Sequence, residues 1–481
     1  MATAAERVTR EDLVMFINAC FACTGQREFY ADAAGQQVSF AFLHDYILGN
    51  YRLLYARSLA AGINQASQAM AIVRLLATGR DTPAEHRAEE GSLIAAALLA
   101  LPVHRAHHVL AALRAARVNN RRARAIVREY LASRRDPAFE AVKYRRSVRA
   151  AAAHAHLRFA EEDERARFLF RGWADRRYET PIFEAFRAAH FADAAIYALP
   201  FTVAEGLAAR RGVPREVFLE RIAPRLTAGE RLRLQGASER ALGQRYGMDL
   251  ATAAPTRLAS YVLSLPLDER RARSAELGSA LDRAGHRAAS RTGARFGRVA
   301  AVLDASYSAS GSSEKRRRPL AAALAASAFL RAASREYRAF WTGRVEDEIL
   351  VEARGATDLA TPILDALAWG ADLIAIVSDG YENDPPGGAA EVLRVYQARL
   401  ARPGGPFLVH LNPVFDADGF APRALSPATP TVGLRETEDI PVMIGFARFA
   451  SGAASLAELL GYLASRAARF VRSGGRADGR T

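Results

Sequence analysis

The chain has 481 residues, half of them hydrophobic and a quarter charged, an ordinary globular composition that excludes a collagen-like, fibrous or largely disordered chain. Two cysteines exclude a disulfide scaffold, and the length predicts two to four domains at roughly 100–200 residues each. The formal net charge of +14 directs attention to polyanionic partners.

Residues 1–290 read as helix throughout. Thr9 and Asp12 make a capping-box-like start, and over 12–23 Leu13, Phe16, Ile17, Cys20 and Phe21 share one helical face. The start MATAAERVTRED has no apolar core of a secretory signal, so a cytoplasmic protein is expected. Cys20 and Cys23 form a C-x-x-C without the second pair that a four-cysteine zinc site needs, and read as small buried residues. Helical periodicity recurs at about 39–60, 64–78, 90–101, 106–117, 121–134, 139–158, 163–172, 182–197, 203–210, 215–222, 228–246, 257–264 and 268–288. The longest apolar run, 93–101, stops at Pro102, short of the roughly 18 residues of a membrane span. Many short helices with short joins predict an α-solenoid of HEAT-like repeats over 1–290, with no legible period.

A basic join at 291–297 ends this part. Strands are predicted at 298–304, 337–342, 348–352, 372–378, 406–411 and 441–446, and helices at 320–333, 362–369, 389–401 and 455–471. That alternation predicts an α/β doubly wound, Rossmann-like parallel sheet over 298–472. A Gly/Arg-rich tail at 473–481 is expected to fray.

Ligands of such sheets bind at the carboxyl ends of the strands. The first predicted strand ends in Asp304-Ala305-Ser306-Tyr307-Ser308, a later one in Ser378-Asp379-Gly380, and Thr357 precedes a helix between them. Two carboxylates and three hydroxyls are hard oxygen donors, suited to Mg²⁺ with water completing an octahedral shell. Asp304, Ser306, Ser308, Thr357 and Asp379 are the expected ligands, with Thr361 as a substitute for Thr357. The motifs and their order resemble the von Willebrand factor A (vWA) domain and its metal-ion-dependent adhesion site. Tyr307 and Ala309 depart from that family, which often has Gly and Met there.

A helical, basic region followed by a vWA-like domain is similar to the Ro autoantigen (TROVE-domain) proteins. The segment 118–156, VNNRRARAIVREYLASRRDPAFEAVKYRRSVRAAAAHAH, resembles their basic and His-containing helices. The resemblance implies a ring of HEAT-like repeats closed by the vWA domain. It also implies binding of small noncoding, Y-type RNA and of single-stranded ends of misfolded RNA, with RNA-processing nucleases as partners.

The residues themselves carry a basic stripe. Lysines stand only at 143 and 315, and abundant arginine and alanine fit a GC-rich bacterial genome, so the arginine bias alone has no functional weight. Its distribution does: residues 1–290 hold 43 basic and 31 acidic residues, against 23 and 21 over 291–481. Between 105 and 158 there are 14 basic residues against Glu129, Asp136 and Glu140. Arg114, Arg117, Arg121, Arg124 and Arg128 follow at helical steps, a spacing that predicts one continuous face, and Arg145 and Arg149 repeat the step beside Lys143. Like charges at these spacings repel by about 0.2–0.5 kcal/mol per pair, and a polyanion relieves that repulsion. These residues and His156 are the expected RNA contacts, interleaved with Tyr130 and Tyr144 as stacking faces.

No phosphate-loop, dinucleotide or nucleophile-elbow motif is present. The expectation is a non-enzymatic RNA-binding protein whose vWA-like domain binds Mg²⁺ and completes the ring or recruits an acidic protein ligand, with no membrane partner. The alternative is a helical vWA adaptor for protein–protein interaction, working beside a chaperone-like ATPase without RNA. A metal-dependent hydrolase using Asp304 and Asp379 is a third reading.

Overall fold

The computed structural model describes residues 4–23, 33–160, 163–243, 246, 250, 252–402, 404–415, 422–450 and 455–474. Contacts divide the chain into two compact units, Ile72–Asp249 and a second made of Met1–Ala71 with Leu250–Thr481. The first is helical, without a strand among its described residues. The second holds the sheet together with the first helix and the helices that precede the sheet. Secondary structure changes character at Phe296, close to the join read at 291–297, whereas the compact units divide elsewhere. Among the described residues no helix is long and apolar enough to cross a membrane.

In the helical unit short helices are stopped and started by local chemistry. Asn120 caps Arg121–Ala132 by accepting from the Ala123 amide at 2.8 Å, and that helix buries Ala123, Ile126, Val127, Tyr130 and Leu131. Asp136 caps Pro137–Lys143, with proline in the first turn where its missing N–H costs nothing. Tyr144 separates that helix from Arg145–His154, so the single helix read at 139–158 is two.

The sheet has five strands in the order β2-β1-β3-β4-β5. They are β1 Phe296–Leu303, β2 Ser334–Trp341, β3 Leu373–Val377, β4 Phe407–Asn412 and β5 Thr431–Gly433, all paired in parallel. The central β3 is buried along its whole length, which accounts for its unbroken apolar run. Helix Arg318–Ala333 buries thirteen of its residues, and helix Ser274–Thr292 lies close enough that a Cβ on Gly285 would meet Ala328 O at 2.4 Å. On the far side, helix Ala4–Ala22 meets β5. Asn18 Nδ2 donates to Thr431 O at 3.0 Å, and its Oδ1 lies 3.4 Å from the Gly433 amide.

Several expected elements differ. The first helix starts at Ala4, so Thr9 and Asp12 lie inside it; Asp12 instead accepts from the Tyr46 and Tyr51 hydroxyls, each at 2.9 Å. The strand expected at 348–352 is a 3-10 turn, Glu348–Leu350, capped by Asp347, and the carbonyls of Ile349 and Val351 are taken by Arg270 rather than by a neighbouring strand. The strand expected at 441–446 is the helix Ile440–Ala450, which continues from a 3-10 turn, Thr437–Asp439, that a capping box of Glu436 and Asp439 starts. A short apolar run does not distinguish strand from helix, and here the acidic cap decides. Of the tail read at 473–481, residues 475–481 lie outside the described residues.

Candidate metal centre and nucleic-acid interface

Strand register builds the first site. Leu303 is paired with Trp341 and with Val377, and Val377 with Leu411. The residues that follow, Asp304, Thr342, Ser378-Asp379 and Asn412, therefore leave the sheet along one edge. β1 and β3 are also where the strand order reverses, the position at which open α/β sheets bind ligands.

Asp304, Ser306, Ser308, Thr357 and Asp379 are all buried. Asp304 Oδ1 accepts from the Ser306 amide at 2.8 Å and lies 3.4 Å from Thr342 Oγ1, while Thr342 Oγ1 accepts from the Ala305 amide at 2.7 Å. Ser306 Oγ is 3.2 Å from Ser308 Oγ, and the Ser308 side chain bonds Asp379. Thr357 sits on a loop fastened to the first by Tyr307 N to Gly355 O (3.1 Å) and Arg354 N to Ala305 O (2.8 Å). Asn383 Oδ1 accepts from the Thr357 amide at 2.7 Å. Thr357 is the buried hydroxyl of its segment and Thr361 is exposed. Tyr307 is 64% exposed, so its bulk lies largely in solvent.

Burial raises the carboxyl pKa of both aspartates, and for Asp304 the neighbouring Asp379 charge raises it further. Among the described residues no hydrogen-bond donor reaches the buried Oδ2 of Asp304. An unpartnered carboxylate oxygen beside a second buried carboxylate is costly without a cation. Among the described residues no group of three or more His, Cys, Asp and Glu side chains gathers for a metal. Two carboxylates with hydroxyls is instead the all-oxygen donor set of a hard divalent ion that keeps some of its water.

Sequence reasoning missed the braces of this site. Asn412 Nδ2 donates to Asp379 O and to Arg423 O, each at 3.0 Å. Buried His410 places Nε2 3.1 Å from Ser378 O. Thr342 and Asn412 do carry one legible signal, a polar residue where an apolar strand stops.

The basic residues occupy the helical unit. The five arginines do not form the continuous face their spacing predicts. Helix Val103–Ala115 ends after Arg114, Arg117 adopts a left-handed φ of 55°, and a new helix starts at Arg121. Val118 N bonds Leu113 O and Arg117 N bonds Arg114 O, the paired bonds of a Schellman stop. Helix Arg145–His154 stops in the same way: His156 has φ 51°, Leu157 N bonds Ala152 O and His156 N bonds Ala153 O. Glycine takes this position after helices Phe201–Arg210 and Ser274–Thr292, so Arg and His here hold a conformation that costs an L-residue roughly 1–2 kcal/mol.

The two stops meet. His154 Nε2 lies 3.0 Å from Val118 O, and Asn119 Nδ2 lies 3.2 Å from His156 Nε2. Arg128 donates to Ala155 O (2.8 Å) and His156 O (2.9 Å), while Arg124 donates to Asn119 O (3.3 Å). Arg117, Arg124, Arg128 and His156 are thus gathered around one pair of turns. Arg114, Arg121 and Arg149 are exposed, and among the described residues have no acidic partner within 4 Å. Lys143 lies 3.9 Å from Glu230 and over the rings of Phe139 and Tyr144. Arg145 is turned inward: its Nε donates to Phe168 O at 2.9 Å, and its guanidinium fills the space beneath Gly172. Tyr130 is buried and cannot present a stacking face.

No family model and no curated protein matches this chain. Among solved structures the chain is similar to the crystal structure of the Deinococcus radiodurans Ro (RSR) protein, at 17% identity and a TM-score of 0.44, with 91% of this chain and 98% of that one covered.

Proposed function

We propose that the chain is a non-enzymatic RNA-binding protein of the Ro kind, acting in the cytoplasm on Y-like small noncoding RNA or single-stranded RNA ends. The observation that carries this reading is the set of exposed arginines without acidic partners, Arg114, Arg121 and Arg149, beside the paired turns that hold Arg117 and His156. Phosphates supply the missing counter-charge, and contacts of this kind give affinity with limited base reading. The HEAT-like repeats, the ring closed by a vWA domain and the nuclease partner belong to this reading through the resemblance alone.

In the same reading Asp304, Ser306, Ser308, Thr357 and Asp379 hold Mg²⁺. The ion supplies positive charge to the two buried carboxylates and an open position for the carboxylate of an acidic protein ligand. The protein's part is positional: the Thr342, Asn383 and Asn412 bonds fix the loops that carry the ligands.

The test is purification at low salt, sequencing of bound RNA, and titration of single-stranded and structured RNA against salt. With about six phosphate contacts, log K falls with log salt at a slope of about −4 to −5. Arg114→Glu, Arg121→Glu and Arg149→Glu together lose the co-purifying RNA and flatten that slope. A protein free of RNA that binds neither form at about 100 mM salt overturns the reading, and the adaptor alternative then stands.

A further inference from the structure

The helical unit carries an exposed aromatic cluster to which nothing above gives a role. Trp173 lies on the 3-10 turn Gly172–Ala174 and is 46% exposed; Phe191 is 61% exposed. Exposed rings of this size are uncommon unless they meet a partner.

The cluster is built rather than loose. His190 stacks on Trp173 with centroids 5.2 Å apart and planes 15° from parallel, and Phe186 packs against His190 at 4.8 Å. His190 Nδ1 lies 2.8 Å from Phe186 O, a bond that fixes the ring's plane. Phe191 stands edge-on to Trp173, 6.2 Å away at 73°. Beneath the turn, the Tyr178 hydroxyl donates to Gly172 O at 2.6 Å. Gly172 has φ +64° and a Cβ there would meet the Arg145 guanidinium at 2.8 Å, so Arg145 props the turn that presents Trp173. The indole is therefore the outer member of a fixed stack, with one face on an imidazole.

The surroundings are positive. Burial, together with the charges of Arg210, Arg145 and Arg211, holds the His190 pKa below the ordinary histidine value. Arg187 lies over the Phe191 ring at 5.6 Å, paired with Glu184. Arg211 is paired with Asp193, while exposed Arg210 has no acidic partner among the described residues. Partly exposed rings suit a planar ligand, and the uncompensated charge of Arg210 suits an anionic one. A nucleobase on a phosphate backbone is both, whereas the apolar side of a protein helix is neither.

We propose that Trp173, backed by His190 and flanked by Phe191, is a stacking platform for an unpaired base of single-stranded RNA, separate from the arginines around residues 114–128. The inference rests on the RNA-binding reading. It assigns that reading a sequence-tolerant base contact in place of a further phosphate contact.

The test uses the full chain with two fluorescein-labelled probes of equal length, oligoadenylate and an abasic ribose-phosphate oligomer, followed by anisotropy at several salt concentrations. Trp173→Ala weakens oligoadenylate binding about ten-fold or more, the loss expected for one stacked base, without altering the salt slope or the affinity for the abasic probe. Trp173→Phe keeps a ring and restores most of the affinity, which separates stacking from misfolding. In a Trp341→Phe/Trp369→Phe background Trp173 is the sole indole, and oligoadenylate quenches its fluorescence. Unchanged oligoadenylate affinity in Trp173→Ala, or equal losses on both probes, overturns the platform while the RNA-binding reading survives. Failure of the unaltered protein to bind either probe overturns the platform, and failure to bind structured RNA as well overturns both.

Discussion

Replacing Asp304 by Asn separates the cost of the oxygen cluster from its use. Burial and Asp379 raise the Asp304 carboxyl from an ordinary 3.8 to about 6. At neutral pH without a cation, that difference corresponds to about 3 kcal/mol of instability carried by the ionised group. Asparagine keeps an oxygen to accept from the Ser306 amide and replaces the unpartnered oxygen by an amide donor. In chelator at pH 7.5 the variant's sheet unit is therefore more stable than the unaltered one, by up to about 3 kcal/mol. For roughly 300 residues, at about 2.1 cal/mol/K each, the melting midpoint rises by about 5 °C.

The sign follows from the raised pKa. The unaltered protein regains the lost stability as pH falls through about 6, and below about 4 the two proteins converge. Magnesium closes that gap at neutral pH: at a hundred times its Kd it adds about 2.7 kcal/mol to the unaltered protein and nothing to the variant. Calorimetry in chelator and in 10 mM Mg²⁺, at pH 7.5 and pH 4, reads all four values. A variant that melts below the unaltered protein in chelator at pH 7.5 refutes the argument from buried charge. An equal magnesium shift in both refutes the ligand assignment.

Other outcomes follow from features described above. Arg117→Gly relieves the left-handed strain, so denaturant unfolding shows the helical unit up to about 1 kcal/mol more stable, while RNA affinity falls; a loss of stability contradicts the strain. His107 is buried and its pKa is lowered from 6.5 to about 4, so the unfolded chain takes up a proton first. Stability of the helical unit then falls by up to about 3 kcal/mol as pH drops from 6.5 to 4, and His107→Gln flattens that profile in urea titrations at several pH values. Gly285→Ala places a Cβ 2.4 Å from the Ala328 carbonyl and costs about 1–3 kcal/mol or more in a melting experiment; an unchanged midpoint shows that the two helices separate freely.

What was readable in the sequence was local. The D-x-S-x-S loop and the S-D-G strand end carry their ligands within a few residues of an apolar strand, and register brings them together without long-range information. The braces Thr342 and Asn412 lie 38 and 33 residues from their bonded aspartates, and a polar residue at a strand end does not name its partner. The arginine face failed for a different reason. Counting in helical steps passed through the stop at Ala116 because Arg117 occupies the turn position where glycine would have marked an end. The strand expected at 441–446 failed because PVMIGF suits either element, and the deciding carboxylates, Glu436 and Asp439, lie outside the run. Trp173 has no sequence signal at all; its exposure depends on how Gly172 turns over Arg145.

The bond between Asn18 and β5 bears on how the molecule is made. One side-chain amide reaches Thr431 O and the Gly433 amide, alternate groups on the strand's open side, and so stands where a sixth strand would pair. An unguarded strand of this kind is a template for another chain. The guard is synthesised before its ward, which follows 413 residues later, a wait of roughly 20–80 s at ordinary ribosomal speeds. During that time the Asn18 side chain has no strand to hold. Protection of the sheet edge thus comes late in synthesis, and a chain cut short before residue 431 lacks the strand that Asn18 guards.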